Sequence, residues 1–585
     1  MNYSRQPKQK TLKVNRIQLL RVLLIIIGSV FIFRLFYIQI VKHEYYQSQA
    51  LAEHIKKFEI SAPRGIIRFQ DGDKTVPVVL NEPRYIIYAD PKYISDSEVT
   101  ASKIVEIIGG NKKDIKKKLE TDDSRYVVLA KKMTKAQVNR IDALNIKGIG
   151  KKETMTRTYP QGSLAAHLLG FVNDDGKGQY GIEEYMNDEL AGKPGLERAI
   201  TDIKGVPLAV NNDNILQQAK PGKDLTLTID LSMQQMAEDY IKSGVDRTSA
   251  LRGSVIIMEI NTGAIKAMAN YPTYNPSQYD KINDQSIFIN TATSMPWEPG
   301  SVMKPLTVSA SLNEGKSNPN TSYFDPGYVK VGDRTVTNAV PWGAQNTTIR
   351  DVLVQSLNTG AVFALKTLGD GSINSTARNI WYKYLTDHYR FNKQTGVQQT
   401  GETVGYIADP NEGDGLEVRY SNTSFGQGLS VTPIQLIAAY AAVINGGNYY
   451  KPTLIADSDK NGKVVDPKST LVAKDVVSIN TSEQIKDILR NALEVNNKAA
   501  LRKGYVLGAK SGTAEVADKN GNYRTDVYNG SYIGYIGGAD GPKYIMLVRI
   551  DEPKTSGFAS AQAYKIWDEI SNKLIDIIAL KPIGG

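Results

Sequence analysis

The sequence predicts an α/β chain in three parts behind a short tail at 1–16. These are a transmembrane helix at 17–41, a first outer region at 42–230 with short helical patterns, and a C-terminal domain at 231–585 whose sheet is built from both of its ends with helices between. Three observations predict this. One purely apolar or small run, Val22–Phe33, stands near the N-terminus; strand–turn–strand patterns open and close the C-terminal part; helical periodicity fills the interval between them.

The tail comes first. Arg5, Lys8, Lys10, Lys13, Arg16 and Arg21 meet no acidic residue before Glu44. A cationic flank of this kind stays inside, which places everything after about residue 42 outside the cytoplasmic membrane. Twelve apolar residues reach only about 18 Å as a helix, but a span from Ile17 to about Arg34 reaches about 27 Å against a hydrocarbon layer of roughly 30 Å. Arg21 and Arg34 then snorkel to opposite interfaces, with Phe36 and Tyr37 at the outer headgroups. Ala50-Leu51-Ala52 resembles a signal cleavage site, yet it lies beyond Lys42, His43 and Glu44, so a retained single-pass anchor is expected.

A chain of 585 residues exceeds one compact core. It has no cysteine and only four histidines, none at metal-binding spacing, so no metal site is expected and acid–base chemistry falls to lysine, carboxylates or hydroxyls. The net charge of +10 is partly the tail's, and without a groove-entering motif no nucleic-acid partner is expected. In the pedestal, Gly181–Gly195 reads as one helix stopped by Gly192 and Pro194.

In the C-terminal domain, Ser254–Ile260 reads as a buried strand, Asn261-Thr262-Gly263 as a turn, and Ala264–Ala269 as the returning strand. The pattern recurs as YIGYIGG from Tyr532, a turn around Asp540-Gly541-Pro542, and YIMLVRI from Tyr544. Apolar positions at Ile566, Ile570, Leu574, Ile577 and Ile578 make Ala559–Leu580 a helix that lies on the resulting sheet.

Three short motifs carry chemistry. Ser301-Val302-Met303-Lys304 is the sole S-x-x-K in the chain, with a helical pattern after it and Pro305 tolerable in a first turn. On a helix, Ser301 and Lys304 share a face, and a buried lysine near a helix N-terminus can be neutral enough to take the serine's proton. Ser356-Leu357-Asn358 interrupts two helical patterns, whereas the S-x-N matches at Ser311, Ser372 and Ser478 lack that context. Lys510-Ser511-Gly512-Thr513 stands before the C-terminal hairpin in a strand-like run, while Lys242-Ser243-Gly244 only ends a helical pattern.

The order of the three motifs is that of penicillin-binding proteins and class A β-lactamases. With WEPGSVMKP, VQSLNTGAV, SFGQGLSVTPIQL and GAKSGTAEV, the chain resembles the class B penicillin-binding proteins over essentially its whole length, most of all their division-specific transpeptidases. Arg64-Gly65 matches the family's first region; Phe69-Gln70-Asp71 departs from its usual Asp-Arg-Asn, and Leu357 from the serine frequent there in the division group. The resemblance implies an elongated α+β pedestal at 42–230, a serine β-lactamase/DD-peptidase-like transpeptidase domain at 231–585 with an antiparallel sheet flanked by helices, and a serine enzyme that cross-links peptidoglycan stem peptides and is acylated by β-lactams.

It implies Ser301 as nucleophile, Lys304 as its base, Ser356 as proton relay and Asn358 and Lys510 as further catalytic residues. Ser511, Gly512 and Thr513 would bind substrate, and no metal or organic cofactor would be needed. The implied partners are the membrane, a polytopic wall glycosyltransferase and other division proteins. An elongation-specific class B enzyme and a non-catalytic β-lactam sensor or division scaffold are the alternatives.

Overall fold

The structure, a computed structural model, describes residues 16–46, 55–60, 62–121, 124–200, 215–458, 464–465, 469–518, 522–555, 557–578 and 580–584. Helix α1 runs Arg16–Phe36 and continues as a π-helical turn over Tyr37–Val41. Leu19–Val41 has a mean hydropathy of 2.4 and, among the described residues, is the one helix long and apolar enough to cross a membrane. It passes Arg34 without a break because no proline or glycine interrupts Leu35–Val41, so the span is longer than the one ending near Arg34.

The chain forms two compact units. The first, Met1–Ala62 with Lys193–Lys220, holds α1 and a three-stranded antiparallel sheet of Ile55–Ile60, Gly195–Ile200 and Ile215–Gln217. The second, Pro63–Gly192 with Pro221–Gly585, holds everything described below.

Its first sheet contains β1 (Ile67–Asp71), β2 (Lys74–Ala89), β3 (Val127–Met133), β4 (Ile149–Thr158) and β5 (Leu225–Asp230). β2 is the spine: its first half pairs antiparallel with β1 and its second half lies between β3 and β4. β1 runs parallel to β5, so this sheet takes a strand that directly precedes the C-terminal domain. Ile87, Ala101, Ile104, Leu129, Val138 and Ile141 form a small core of their own around β2 and β3.

Behind β1, Glu183 is fully buried between two arginines, 2.7 Å from Arg64 Nε and 2.6 Å from Arg157 Nε. Asn81 closes the ring, donating to Arg64 O at 2.6 Å and accepting from Arg157 Nη1 at 3.0 Å. Here the single helix expected over Gly181–Gly195 is replaced by two, Gly181–Tyr185 and Asn187–Ala191, broken at Met186. The break lets Asn187 Oδ1 turn inward to accept from Arg64 Nη1 at 3.1 Å and Gly178 N at 3.0 Å. Removing one member of a buried ionic group leaves the others charged and desolvated. Glu183→Ala is therefore expected to destabilise the fold by about 3–5 kcal/mol, read as a fall in midpoint in denaturant or thermal unfolding. Phe69 is fully buried in the main core, and Gln70 accepts from Lys266 Nζ at 2.9 Å, so the departure at Phe69-Gln70-Asp71 ties β1 to the C-terminal sheet.

The C-terminal domain opens with α2 (Leu231–Thr248), β6 (Arg252–Glu259) and β7 (Ile265–Tyr271). Helices α3 (Lys304–Asn313), α4 (Ile349–Val354), α5 (Asn358–Thr367), α6 (Pro433–Ile444) and α7 (Ile479–Asn496) follow. The chain then returns through β8 (Val506–Ala517), β9 (Tyr523–Gly538), β10 (Gly541–Asp551) and α8 (Ala559–Ile577). The five strands form one antiparallel sheet in the order β7-β6-β10-β9-β8, with Arg252 opposite Asp551 and Glu259 opposite Tyr544 joining the two ends of the domain. That is the sheet the two hairpin patterns predicted.

Both faces of the sheet are buried, which is why its strands read as nearly continuous apolar runs. Along β10, Tyr544, Met546, Val548 and Ile550 join the core with Ile241, Ile566, Trp567 and Ile570 of α2 and α8. Ile545 and Leu547 point the other way, into the core that includes α6. Every residue of α6 is buried, as expected of a helix that is apolar all round. β9 begins nine residues before the predicted Tyr532, because the ribbon from Tyr523 to Tyr528 is mostly exposed, is paired to β8 and not to β10, and carries no core pattern.

Candidate active site

The site is assembled from three places in the C-terminal domain. The first is the turn before α3. Residues Gly300–Met303 form a 3-10 turn in which Lys304 N–H donates to Ser301 O, and α3 starts at Lys304 with Pro305 in its first turn. A single helix was expected from Ser301; the tighter winding eclipses positions i and i+3 and so brings Ser301 and Lys304 onto one line. Gly300 has φ +63°, and a Cβ there would lie 2.4 Å from Thr513 O. Only glycine lets the serine turn touch β8.

The second place is the break between α4 and α5. Ser356 has φ +58°, a left-handed conformation that costs a non-glycine residue about 1–2 kcal/mol. The strain is held because Leu357 is buried in the core, 2 % exposed, and anchors the turn. Packing therefore decides the middle position of this motif. Asn358 opens α5 and donates to Thr337 O at 2.9 Å.

The third place is β8. Lys510 Nζ donates to Ser356 Oγ at 2.8 Å, and Lys304 Nζ lies 2.5 Å from Ser356 O and 3.4 Å from its Oγ. Two lysine amines thus converge on one serine hydroxyl. Both lysines are buried, Lys304 completely, and neither has a carboxylate partner among the described residues. Burial pushes the Lys304 amine well below its ordinary value, and the charge of Lys510 pushes it further. Burial alone lowers Lys510 to about 7. A neutral amine at Lys304 can accept a proton at physiological pH.

Ser511 and Thr513 are both half-buried on β8, and Lys510 Nζ lies 3.1 Å from Ser511 O and 3.4 Å from Ser511 Oγ. Thr513 Oγ1 hydrogen-bonds Ser560 Oγ at 3.0 Å. Gly512 faces the serine turn, where a Cβ would lie 2.9 Å from Val302 Cγ1 and 3.0 Å from Pro299 O.

The competing motif matches lie elsewhere. Lys242 is an exposed partner of Asp246 at 2.6 Å on α2. Ser311 bonds Ser317 and Thr367, Ser372 bonds Gly369 O, and Ser478 caps α7. His167 is buried against Ile287 O, its pKa lowered to about 4 by desolvation, and a ring nitrogen of His388 lies 2.8 Å from Val476 O. His43 is exposed and His54 lies outside the described residues. Among the described residues no group of three or more His, Cys, Asp or Glu could hold a metal ion.

Glu298, Gly426, Gln427 and Gly428, within the stretches WEPGS and SFGQGL, carry no role legible from the sequence. The structure sets them beside the serine turn: Gly300 N–H donates to Gly426 O at 3.0 Å, and Gly428 N–H donates to Glu298 Oε1 at 2.9 Å. The two glycines flanking one polar residue were the available signal.

The profile of the penicillin binding protein transpeptidase domain matches residues 253–575, and that of the penicillin-binding protein dimerisation domain matches 59–227. Stage V sporulation protein D of Bacillus subtilis is 29 % identical over 574 residues, covering 96 % of this chain and 86 % of that protein. A peptidoglycan D,D-transpeptidase FtsI homolog of Mesostigma viride is 28 % identical, with 98 % of each chain covered. Among solved structures, penicillin binding protein 2X of Streptococcus thermophilus has the same fold, with a TM-score of 0.70 at 24 % identity over 90 % of this chain and 80 % of that one.

Proposed function

The chain belongs to the class B penicillin-binding proteins, and from that premise we propose that Ser301 is its nucleophile, activated by Lys304, in the cross-linking of septal cell wall. The protein is a peptidoglycan D,D-transpeptidase. The observation that carries the assignment of residues is the convergence of Lys304 and Lys510 on the Ser356 hydroxyl beside the turn that bears Ser301.

In the proposed reaction, Ser301 Oγ attacks the carbonyl of the penultimate D-alanine of a donor stem peptide and Lys304 takes its proton. The backbone N–H groups of Ser301 and Thr513 receive the developing oxyanion. As the C–N bond breaks, Ser356, bonded to both lysines, relays a proton to the departing D-alanine nitrogen. The amine of a second stem peptide then attacks the ester, loses a proton to the same relay and restores the serine. Asn358 positions the donor amide, and Lys510, Ser511 and Thr513 hold the substrate carboxylate, with Gly512 giving the backbone room to approach. β-Lactams acylate the same serine.

We place the domain division at residue 230; the matched ranges 59–227 and 253–575 support it. The apolar α1 supports a single-pass anchor in the cytoplasmic membrane, and the cationic tail supports an N-terminus inside. A polytopic wall glycosyltransferase and other division proteins are the partners that fit this reading. The test supplies the full-length protein in lipid with a pentapeptide donor and an amine acceptor, and images a fluorescent fusion in cells. Release of D-alanine with formation of the cross-linked dimer, and a midcell signal, are the expected results. Sidewall signal would assign the enzyme to elongation instead, and absence of turnover would leave a β-lactam sensor or scaffold.

A further inference from the structure

We propose that Glu298 is a positioning residue that sets the width of the catalytic cleft, acting through the loop Gly426–Gly428. This rests on the assignment of Ser301 as nucleophile.

Three consecutive loop residues bond in alternation to the two walls of the cleft. Gly426 O accepts Gly300 N–H at 3.0 Å, on the serine turn. Gln427 Nε2 donates to Glu515 Oε2 at 2.9 Å, on β8 two residues beyond Thr513. Gly428 N–H donates to Glu298 Oε1 at 2.9 Å, back on the serine turn. Glu298 also accepts from Tyr523 O–H, at 2.9 Å to Oε2 and 3.2 Å to Oε1, and Tyr523 lies on β9 opposite Ala517 of β8. The carboxylate of Glu298 therefore ties its own turn to the loop and to the hairpin that carries the substrate strand.

There is no slack in this arrangement. A Cβ on Gly426 would lie 2.1 Å from Gly300 O, and one on Gly300 would lie 2.4 Å from Thr513 O. Loop, turn and strand are stacked at backbone contact, so the position of Thr513 N–H relative to Ser301 follows from the bonds that clamp the stack. No lysine or arginine pairs with Glu298 or Glu515 among the described residues. Glu298 meets only neutral donors, and its burial raises its carboxyl pKa, with the charge of Glu515 adding to the shift. A group kept there for solubility or simple ion pairing would have water or a cation as its partner. Glu298 has two directed donors from two different elements.

Its loss would loosen the relative placement of serine and oxyanion donors, and a misplacement of about 1 Å costs about a hundredfold in rate. The test is stopped-flow acylation of the full-length protein by a chromogenic cephalosporin, separating the first-order acylation constant from the dissociation constant of the initial complex. Glu298→Ala is expected to lower the acylation constant by about 10–100-fold while the dissociation constant changes by less than about threefold. Glu298→Gln keeps an acceptor for Gly428 N–H and offers an amide to the Tyr523 oxygen, so it should acylate within about threefold of wild type. Glu298→Ala and Gln427→Ala together should cost less than the product of their separate effects, because both open one ring.

The proposal is overturned if Glu298→Ala acylates at the wild-type rate, if the loss falls on the initial complex, or if Gln fails to restore the rate. Should Glu298→Ala not fold, Tyr523→Phe removes one arm of the clamp and must slow acylation while Glu298→Gln does not; equal rates for the two overturn it. Failure of the wild-type protein to form a Ser301 adduct would instead fault the nucleophile and leave the clamp out of the matter.

Discussion

Ser301→Ala is expected to abolish covalent penicillin binding altogether while leaving the unfolding midpoint within a degree or two of wild type. Intact-mass measurement should show one adduct on the wild-type protein and none on the variant, and peptide mapping should place the wild-type adduct on Ser301. The effect is total because no second hydroxyl in the cleft can replace it. Ser356 Oγ is held by Lys510 Nζ at 2.8 Å in a strained turn, Ser511 Oγ lies 3.4 Å from Lys510 Nζ, and Thr513 Oγ1 is bonded to Ser560 Oγ at 3.0 Å. The fold is spared because Ser301 is half-buried on a turn whose backbone bonds, Gly300 N–H to Gly426 O and Lys304 N–H to Ser301 O, do not use the side chain. An adduct that persists in Ser301→Ala, or one that maps to Ser356, would refute the assignment.

Lys304→Ala is expected to slow acylation by at least about a hundredfold, the scale of a positioned general base. Lys242→Ala, in the exposed copy of the third motif, should leave the rate unchanged. The pH dependence separates the two buried lysines. As the proposed base, Lys304 works as a neutral amine, so acidification through its lowered pKa would protonate it and lower the rate. Lys510 loses its charge as pH rises through about 7, which in the proposed mechanism would weaken attraction for the substrate carboxylate and lower the rate on the alkaline side. The profile of acylation efficiency should be bell-shaped, with apparent pKa values that belong to the coupled pair.

Stability carries the opposite sign from that of a lysine in a salt bridge. Both amines have folded-state pKa values below the ordinary 10.5, so folding expels protons and stability rises with pH between the folded and unfolded values. For Lys510 that window runs from about 7 to 10.5. Any stability advantage of Lys510→Met over wild type should be largest below pH 7 and shrink across that window. A gap that widens with rising pH would show that Lys510 is charged and satisfied in the fold.

The apolar N-terminal helix, the sheet and the three short motifs were legible in the sequence. Each is written in local pattern: an unbroken apolar run, strands buried on both faces and therefore apolar throughout, and short spacings that place side chains on one face of a helix or beside a turn. The sheet built from both ends of the domain was legible because β6 and β10 are both such strands. The mostly exposed ribbon of β9 was not, since its pairing to β8 needs no core pattern. The helix expected over Gly181–Gly195 is broken at Met186 because Asn187 is drawn to Arg64, more than a hundred residues away in sequence, and no local periodicity records that.

Which hydroxyls and amines meet is set by folding. Ser356 lies 52 residues from Lys304 and 154 from Lys510, and its hydroxyl reaches both because a buried Leu357 pins a left-handed turn. The lowered pKa values of the two lysines likewise have no sequence signature: desolvation depends on what packs around an amine, and Lys242, in the same K-S-G triplet, is an ordinary exposed cation. The clamp of Glu298 on the Gly426–Gly428 loop was hidden for the same reason. Chain geometry propagates over a few residues, whereas burial, electrostatic coupling and close backbone contact arise from residues brought together by folding, and only the folded chain fixes their distances.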